Sequence, residues 1–275
     1  MFTKTCADLL PQEARLPGII TFCKDLDHAI GHPGVSVGLI TEFCGPPGSG
    51  KTQMCLQLCV NANLPKELGG LGGKSLYLDT NFGFSPDRLR EIATACVQHC
   101  QRIVRTSRPQ LAEVTSKFTA ESVMESVLYN HVHVCNDLNK SIDTLERLLK
   151  LGEKIRLVVI DSYSFLIRCN IENTLERIRI DHTVLNRLQI LAQQFKFAIV
   201  LTNDVTTKLN GTDPSTIAPA LGDSHGHRIN QRIVLGQTGS EPGMFVASVE
   251  KGFHRPRMAV KFQISSAGVR GVRKK

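Results

Sequence analysis

Short apolar runs alternate with longer amphipathic segments along most of this chain. The apolar runs predict strands at residues 38–44, 75–80, 131–135, 156–161 and 197–203. The amphipathic segments predict helices at residues 52–59, 88–105, 141–151 and 174–195. Because continuously apolar strands that alternate with helices are typical of a parallel sheet covered on both faces, the pattern predicts an α/β fold.

The last third of the sequence has a different pattern. Apolar stretches separated by glycine- and proline-containing turns predict antiparallel strands at residues 232–235, 245–250 and 258–264. Two stretches, residues 169–173 with their flanks and residues 206–230, lack regular apolar periodicity. Long loops in a compact domain are usually functional or disordered. Since no internal repeat or low-complexity linker is present, the sequence predicts one domain over residues 16–275 after a lead-in of residues 1–15.

A glycine-rich segment lies between the first predicted strand and the first predicted helix. It consists of Gly45, Pro46, Pro47, Gly48, Ser49, Gly50, Lys51 and Thr52. In such a loop the backbone N–H groups surround phosphate oxygens, and the N-terminus of the following helix adds its positive end. Lys51 would reach the terminal phosphates, and the Thr52 hydroxyl would hold a magnesium ion. The strand–loop–helix context favours a nucleoside triphosphate site over an ordinary glycine turn.

Polar residues end three of the other predicted strands. Asp161 ends the strand at 156–161, where a carboxylate fits the second half of a phosphate-loop site and would hold magnesium through water. Asp79 and Asn81 come at the end of the strand at 75–80, where a group that orients an attacking water would lie. Asn203 and Asp204 end the strand at 197–203 and are placed to sense the terminal phosphate.

The composition is that of an ordinary globular protein. The 275 residues are 41% hydrophobic and 21% charged, which suits one α/β domain with a full core. No apolar run approaches the roughly 20 residues that a membrane-spanning helix needs. The first residues lack the apolar centre of a signal peptide. These features predict a soluble intracellular protein without a membrane partner.

Nine cysteines are present, and none forms a Cys-x-x-Cys pair. Cys55 and Cys59, and likewise Cys96 and Cys100, are four residues apart, which places each pair on one face of a predicted helix. We interpret them as buried reduced thiols. The alternative is a metal cluster that includes His99, but no zinc-like spacing recurs, and the sequence predicts no metal besides magnesium.

The net charge of +8 is concentrated near the end of the chain. Residues 205–275 contain eleven Lys and Arg against four Asp and Glu, a net +7, whereas the first 204 residues carry only +1. Clustered positive charge is typical of a protein that binds a polyanion. A solvated basic surface is the alternative, but beside a phosphate loop the clustering favours nucleic acid as the partner.

Several short motifs together resemble the eukaryotic RecA-like recombinases, which act on DNA in homologous recombination, and among them the C-type paralogues most. The motifs lie at residues 18–23, 50–53, 87–89, 93–96, 202–203, 206–208, 219–224 and 226–227. The resemblance extends from about residue 6 to residue 268. It implies a RecA-type core with a mostly parallel twisted sheet, flanking helices and antiparallel C-terminal strands.

The resemblance also implies ATP and Mg²⁺ as cofactors, with ATP at a subunit interface, and two loops that face DNA. Those loops correspond to about residues 167–179 and 206–230, which contain the two irregular stretches of the sequence. The residues expected to contact DNA are Arg168, Arg177, Lys208, His227 and Arg228. His227 matches a family position that couples the nucleotide interface to a DNA loop. For each arginine, a charge on a helix surface is the alternative interpretation.

Two positions depart from the family pattern. Asn81 stands where these recombinases usually have a glutamate that polarises water, and an amide cannot accept the water's proton. Asp204 stands where they usually have glutamine, and a carboxylate there would repel the terminal phosphate unless magnesium or a lysine intervenes. We therefore expect tight ATP binding with weak DNA-dependent hydrolysis. The alternative is that Asp204 itself acts as the base.

The resemblance implies a nuclear protein that binds single-stranded or branched DNA in double-strand break repair and meiotic recombination. The sequence has no room for the N-terminal helical domain of many relatives, and residues 2–5 match the family's Phe-x-x-Ala assembly peptide imperfectly. We therefore expect a hetero-oligomer with other paralogues and the main recombinase. The alternatives are a non-catalytic adaptor that uses ATP to hold an interface, and a small-molecule phosphate-loop kinase.

Overall fold

A computed structural model describes residues 17–31, 33–210, 213–239, 242–252 and 258–272, with the backbone alone for 208–210 and 213–216. The predicted lead-in at residues 1–15 lies outside the described residues. No helix among the described residues is long and apolar enough to cross a bilayer.

Strands and helices alternate in the first two thirds of the chain, and strands dominate the last third. The strands are β1 (Gly18–Ile19), β2 (Val35–Ser36), β3 (Ile40–Cys44), β4 (Lys74–Asp79), β5 (Val127–His131), β6 (Ile155–Asp161), β7 (Ala198–Asn203), β8 (Val205–Asn210), β9 (Asp213–Pro219), β10 (Gln231–Gln237), β11 (Met244–Lys251), β12 (Met258–Ser265) and β13 (Gly268–Gly271). The α-helices are α1 (Lys24–Ile30), α2 (Lys51–Ala62), α3 (Pro86–Ser107), α4 (Ala112–Lys117), α5 (Ala120–Ser126), α6 (Cys135–Lys150), α7 (Tyr163–Asn170), α8 (Thr174–Phe195) and α9 (Gly222–Arg228).

The central sheet has nine strands in the order β13-β12-β11-β10-β3-β7-β6-β4-β5. The strands from β10 to β5 are mutually parallel, and β10 to β13 pair antiparallel. The predicted fold, a mostly parallel sheet flanked by helices with antiparallel C-terminal strands, is therefore confirmed. Strands β1 with β2 and β8 with β9 form two separate antiparallel pairs.

Helices cover both faces of the central sheet because successive strand side chains point to opposite faces. On β6, Leu157 and Val159 pack into one apolar cluster with residues of α2 and α3. Val158 and Ile160 pack into a second cluster with residues of α6, α7 and α8. Burial of these two apolar layers is the main source of stability and leaves the ends of the parallel strands free for polar residues.

The strand predicted at residues 131–135 is misplaced. The edge strand is β5, which ends at His131, and Cys135 already begins α6. The Val132 N–H donates to the carbonyl of Asp79, 2.8 Å away, as the chain leaves the sheet. The Asp137 carboxylate then accepts from the Val134 N–H at 3.4 Å. A helix-start signal therefore overrides the alternation of valine and histidine.

Of the two stretches predicted to be irregular, the first is confirmed at its centre, and the second is largely regular. Most of residues 167–179 belongs to α7 and α8, and only residues 171–173 separate the two helices. Residues 206–230 contain the antiparallel pair β8 and β9 and the helix α9. Strands β8 and β9 and helix α9 are short and polar, so they show little of the apolar periodicity by which the sequence reveals a strand or helix.

The predicted cysteine pairs lie on α2 and α3 and pack into the apolar core. Cys55, Cys59, Cys96 and Cys100 are buried and not in disulfides. Burial raises the pKa of the Cys55 thiol well above its usual value, so this thiol stays protonated. Within the described ranges, no three His, Cys, Asp or Glu side chains converge in a way that could hold a metal ion.

Candidate nucleotide-binding site

The strand order brings the predicted site residues together. Strand β7 lies between β3 and β6, and β4 lies on the other side of β6. Cys44 is opposite Asn203, and Asp79 is opposite Asp161, so these four strands end at the same edge. A cavity of about 500 Å³ lies there, lined by Lys51, Thr52, Asn81, Asp161 and Asp204 among others. We refer to it as the nucleotide cavity.

The phosphate loop, residues 45–52, has the backbone that the motif requires. Gly48 has φ 79° and Gly50 has φ 93°, in the left-handed region where a Cβ would be strained. Gly50 caps α2 without a side chain, which leaves the first N–H groups of the helix available to an anion. The Ser49 hydroxyl is buried and has no hydrogen-bond partner among the described residues. The loop therefore offers unsatisfied polar groups at a helix N-terminus, as a polyphosphate site needs.

The two residues predicted to hold magnesium are in direct contact. The Thr52 hydroxyl donates to Asp161 Oδ2 at 2.7 Å. Two further hydroxyls orient the carboxylate: Tyr77 donates to Oδ2 at 2.7 Å, and Thr202 donates to Oδ1 at 2.5 Å. A hydroxyl and a carboxylate oxygen are the ligands that Mg²⁺ prefers, so these residues fit the cation. The sequence motif pointed to Thr52 and Asp161 but not to Tyr77 or Thr202.

Lys51 reaches from the start of α2 across the phosphate loop. Its ammonium donates to the carbonyl of Gly45 at 2.6 Å and to that of Pro46 at 3.1 Å. It also forms an ion pair with Asp204 Oδ1 at 3.1 Å. The sequence suggested that a lysine or magnesium would be needed beside a carboxylate at position 204, and Lys51 is in contact with that carboxylate.

Asn81 lines the same cavity, in the turn between β4 and α3. The carboxylate of Asp79, buried at the end of β4, accepts from the N–H groups of Asn81 and Gly83, both at 3.2 Å. The Asn81 side chain also accepts from the N–H of Gly83 at 3.2 Å. The turn is thus fixed by Asp79, and the position that would meet an attacking water presents an amide.

The candidate DNA residues Arg168 and Arg177 lie together. They line a second cavity of about 280 Å³, between α7, α8 and α9, which we refer to as the basic cavity. Arg177 donates to the backbone carbonyls of Ile171 and Arg168, so its guanidinium also closes the short link between α7 and α8. The side chain of Arg168 is exposed.

His227 and Arg228 are not among the described residues that line the basic cavity. His227 and Arg228 occupy the last turn of α9, where His227 is exposed and Arg228 is half-buried. Lys208 lies on β8 opposite Thr216, in a segment whose backbone alone is described. Some of the basic residues near the end of the chain serve the fold instead: Arg232 pairs with Glu42, and Arg270 lies over the ring of Phe22, 5.0 Å from its centroid.

Sequence reasoning missed a buried ionic cluster centred on His225. The imidazole lies between two carboxylates, with Nε2 2.9 Å from Glu42 Oε1 and Nδ1 2.9 Å from Asp181 Oδ1. Glu42 also accepts from Asn203 Nδ2 at 2.8 Å and from Arg232. A glutamate in the middle of the apolar strand β3 was the available signal, because a buried charge requires partners.

The charges of the cluster stabilise one another. Burial alone would lower the pKa of His225, but its hydrogen bonds with Asp181 and Glu42 and their charges outweigh that effect and raise the pKa to about 9. Burial would raise the pKa of Glu42, but the hydrogen bond and charge of His225, together with Arg232, lower it. His225 is therefore a buried imidazolium at neutral pH.

Comparison with known proteins gives a consistent result. A family described as Rad51 matches residues 12–272. The chain is 32% identical over 267 residues to the DNA repair protein RAD51 homolog 3 of Cricetulus griseus, covering 97% of this chain and 72% of that protein. It is 34% identical over 218 residues to the DNA repair protein RAD51 homolog 3 of Dictyostelium discoideum, covering 79% of this chain and 56% of that protein. It is 28% identical over 270 residues to the DNA repair and recombination protein RadA of Aeropyrum pernix, covering 97% of this chain and 77% of that protein.

Proposed function

Because this chain belongs to the Rad51 family, we propose that it binds ATP with Mg²⁺ and acts on DNA in homologous recombination. The observation that carries the proposal is the 2.7 Å contact between Thr52 and Asp161 beside the phosphate loop. A glycine turn without a ligand would not need a hydroxyl and an oriented carboxylate at the ends of different elements. Residues 16–275 would form one RecA-like core domain.

In this proposal the N–H groups of the phosphate loop bind the phosphates, and Lys51 neutralises their charge. Thr52 and Asp161 would hold Mg²⁺ through their hydroxyl and carboxylate oxygens. Bound Mg²⁺ would screen the negative charge of the phosphates. Hydrolysis would be slow, because Asn81 can orient a water by a hydrogen bond but cannot remove its proton.

DNA, single-stranded or branched, would bind through Arg168, Arg177, Lys208, His227 and Arg228. Arg168 and Arg177 line one cavity, which supports a common phosphate-contacting surface. The relatives named above are DNA repair proteins and a DNA repair and recombination protein, which supports a role in DNA repair. We propose double-strand break repair as the specific task. We extend the proposal to meiotic recombination, to a nuclear location, and to a hetero-oligomer with other Rad51-family proteins and the main recombinase.

Calorimetry with ATP and Mg²⁺ on the full chain tests the nucleotide part of the proposal. We expect Lys51→Ala to weaken ATP binding by at least about tenfold, because a charge-assisted contact with phosphate is lost. Lys117→Ala is the matched control, since Lys117 is exposed and pairs only with Glu113 among the described residues. If folded wild-type protein took up no ATP, or if both variants bound it equally well, the proposal would fail.

A second candidate function is a non-catalytic adaptor that holds ATP at an interface. Two observations favour it: the amide of Asn81 in the nucleotide cavity and the ion pair of Lys51 with Asp204. Phosphate release should then stay at background in wild type and in Lys51→Ala, with and without DNA. A DNA-stimulated rate that Lys51→Ala abolishes would instead support a weak ATPase.

A further inference from the structure

Three hydrogen bonds, two with Ser164 and one with Ala220, hold Asp204 in place. Its N–H donates to Ser164 Oγ at 3.0 Å, and the same hydroxyl donates to Asp204 Oδ2 at 3.1 Å. Its carbonyl accepts from the N–H of Ala220 at 2.8 Å. Ser164 is buried, and its hydroxyl also lies 3.1 Å from that of Ser162. The carboxylate therefore has a fixed position at the wall of the nucleotide cavity.

The other carboxylate oxygen of Asp204 binds Lys51. The two side chains are 10% and 36% exposed, so this ion pair is shielded more than a surface pair and is stronger for that reason. The carbonyls of Gly45 and Pro46 accept the other ammonium protons of Lys51. Lys51, the cation of the phosphate loop that would bind phosphate, is therefore already paired with the Asp204 carboxylate of the same chain.

The wall of the nucleotide cavity carries a net negative charge. Among its described lining residues, Lys51 is the one cation, and Asp161 and Asp204 are both carboxylates. Asp161 contacts Thr52 and fits a role in holding Mg²⁺. Asp204 instead contacts the lysine that reaches the β- and γ-phosphates in this motif. A third phosphate would therefore add negative charge where Asp204 already competes for the same ammonium.

We propose that Asp204 determines nucleotide specificity: it makes the site discriminate against the triphosphate relative to the diphosphate, most strongly when Mg²⁺ is scarce. This inference rests on the proposed nucleotide binding. A diphosphate carries one phosphoryl group fewer and leaves more of the Lys51–Asp204 pair intact. A triphosphate must share Lys51 with Asp204 and tolerate the repulsion between two anions, which Mg²⁺ reduces.

The test compares ADP with the non-hydrolysable triphosphate AMP-PNP on the full chain by calorimetry, at a low and a high Mg²⁺ concentration. We expect Asp204→Asn to improve AMP-PNP binding relative to ADP about tenfold at low Mg²⁺ and by less at high Mg²⁺. Asp204→Gln, a second neutral variant, should shift the ratio in the same direction. Asp143→Asn removes an equal charge from the surface of α6, where Asp143 pairs with Arg187, and should not shift it.

The outcomes separate this inference from the proposed function. If the ratio stayed within about twofold of wild type in both Asp204 variants, or if both nucleotides weakened equally, Asp204 would only position Lys51 and the inference would be wrong. If wild-type protein bound neither nucleotide, the proposed function itself would fail. Thermal unfolding of each variant establishes that the ratio is measured on folded protein.

Discussion

The Asp161 carboxylate accepts hydrogen bonds from Thr52, Tyr77 and Thr202, and these contacts fix its orientation. Burial, and then the nearby charge of Asp161, raise the pKa of the Tyr77 hydroxyl well above its usual value, so Tyr77 stays a donor. A ligand that is oriented by the protein loses little freedom when a cation binds. The hydroxyl contacts therefore support a site for Mg²⁺ as well as the fold.

We expect Asp161→Asn to weaken ATP binding in the presence of Mg²⁺ by about 10- to 100-fold. The substitution keeps the shape of the side chain but removes its charge, and it can place an amide N–H₂ against the hydroxyl donors. Calorimetry with Mg²⁺ and with EDTA measures the effect in each condition. In EDTA this loss should disappear, and Asp161→Asn should bind ATP at least as tightly as wild type, because the variant has one carboxylate fewer beside the phosphates.

Asp143→Asn serves as the control for this prediction as well, because it removes a carboxylate that lies on α6, outside the nucleotide cavity. An equal loss of affinity with Mg²⁺ and with EDTA would show that Asp161 acts on the loop and not on the cation. The same result would contradict the assignment of Asp161 to magnesium.

Helices α8 and α9 are joined to strand β3 through the side chain of His225. Asp181 comes from α8, His225 from α9 and Glu42 from β3, and the Tyr163 hydroxyl at the start of α7 donates to Asp181 at 2.8 Å. Removing one partner from a buried charge cluster costs about 3–5 kcal/mol, because the remaining charges lose their compensation. The position of α9 against the sheet therefore depends on the charge of His225.

The free energy of unfolding should fall as the pH rises from about 6.5 through about 9. The hydrogen bonds and charges of Asp181 and Glu42 outweigh the effect of burial and raise the pKa of His225 to about 9 in the folded chain, whereas the unfolded chain loses this proton near pH 6.5. The stabilisation is fully present below pH 6.5 and is lost as the pH passes the folded pKa, by about 3 kcal/mol in total. Urea unfolding at a series of pH values measures it.

Buried thiols with raised pKa values also weaken the fold at alkaline pH, so the comparison must be between variants. The difference in stability between wild type and His225→Gln should be largest near pH 6 and should narrow towards pH 9.5. His227 lies on the exposed face of the same helix. The free energy of unfolding of His227→Gln should stay within about 0.5 kcal/mol of the wild-type value at each pH. A pH-independent cost of His225→Gln would mean that folding does not raise the pKa of His225.

Elements with a strong apolar pattern could be predicted from the sequence. The helix predicted at residues 174–195 coincides with α8. The sequence did not predict the strand pair β8 and β9. Its residues are polar and it lies outside the central sheet, so it lacks the alternation of apolar and polar positions that identifies a strand. Asn210-Gly211 is a hairpin-turn signal that could have revealed it.

The same distinction applies to the site. The phosphate loop and the contact of Thr52 with Asp161 follow from a local motif and from strand ends that the sheet brings to one edge. The His225 cluster depends on residues that are 44 and 183 positions apart along the chain. No local pattern encodes such a contact, and the register of the sheet and the packing of α9 decide it.

At the scale of the whole molecule, a backbone hydrogen bond connects the wall of the nucleotide cavity with the wall of the basic cavity. Asp204 lines the nucleotide cavity, and its carbonyl accepts from Ala220, which lines the basic cavity. Arg232 and Arg270 make contacts within the fold. The net charge of residues 205–275 therefore overstates the positive charge that is available to bind DNA. A substitution of the exposed Arg168 therefore tests the proposed DNA-binding surface more directly than the net charge does.

We expect Arg168→Ala to weaken binding to single-stranded DNA at every salt concentration and to make the salt dependence shallower. Each phosphate contact releases condensed counterions, so its loss should reduce the slope of log affinity against log salt by about 0.7. Fluorescence anisotropy between 50 and roughly 200 mM salt measures the slope. Arg147→Ala removes an exposed charge from the last turn of α6, outside the basic cavity, and should leave the slope unchanged. Equal slopes for the two variants would place the DNA surface elsewhere, because Arg168 would then contribute only to the general charge of the chain.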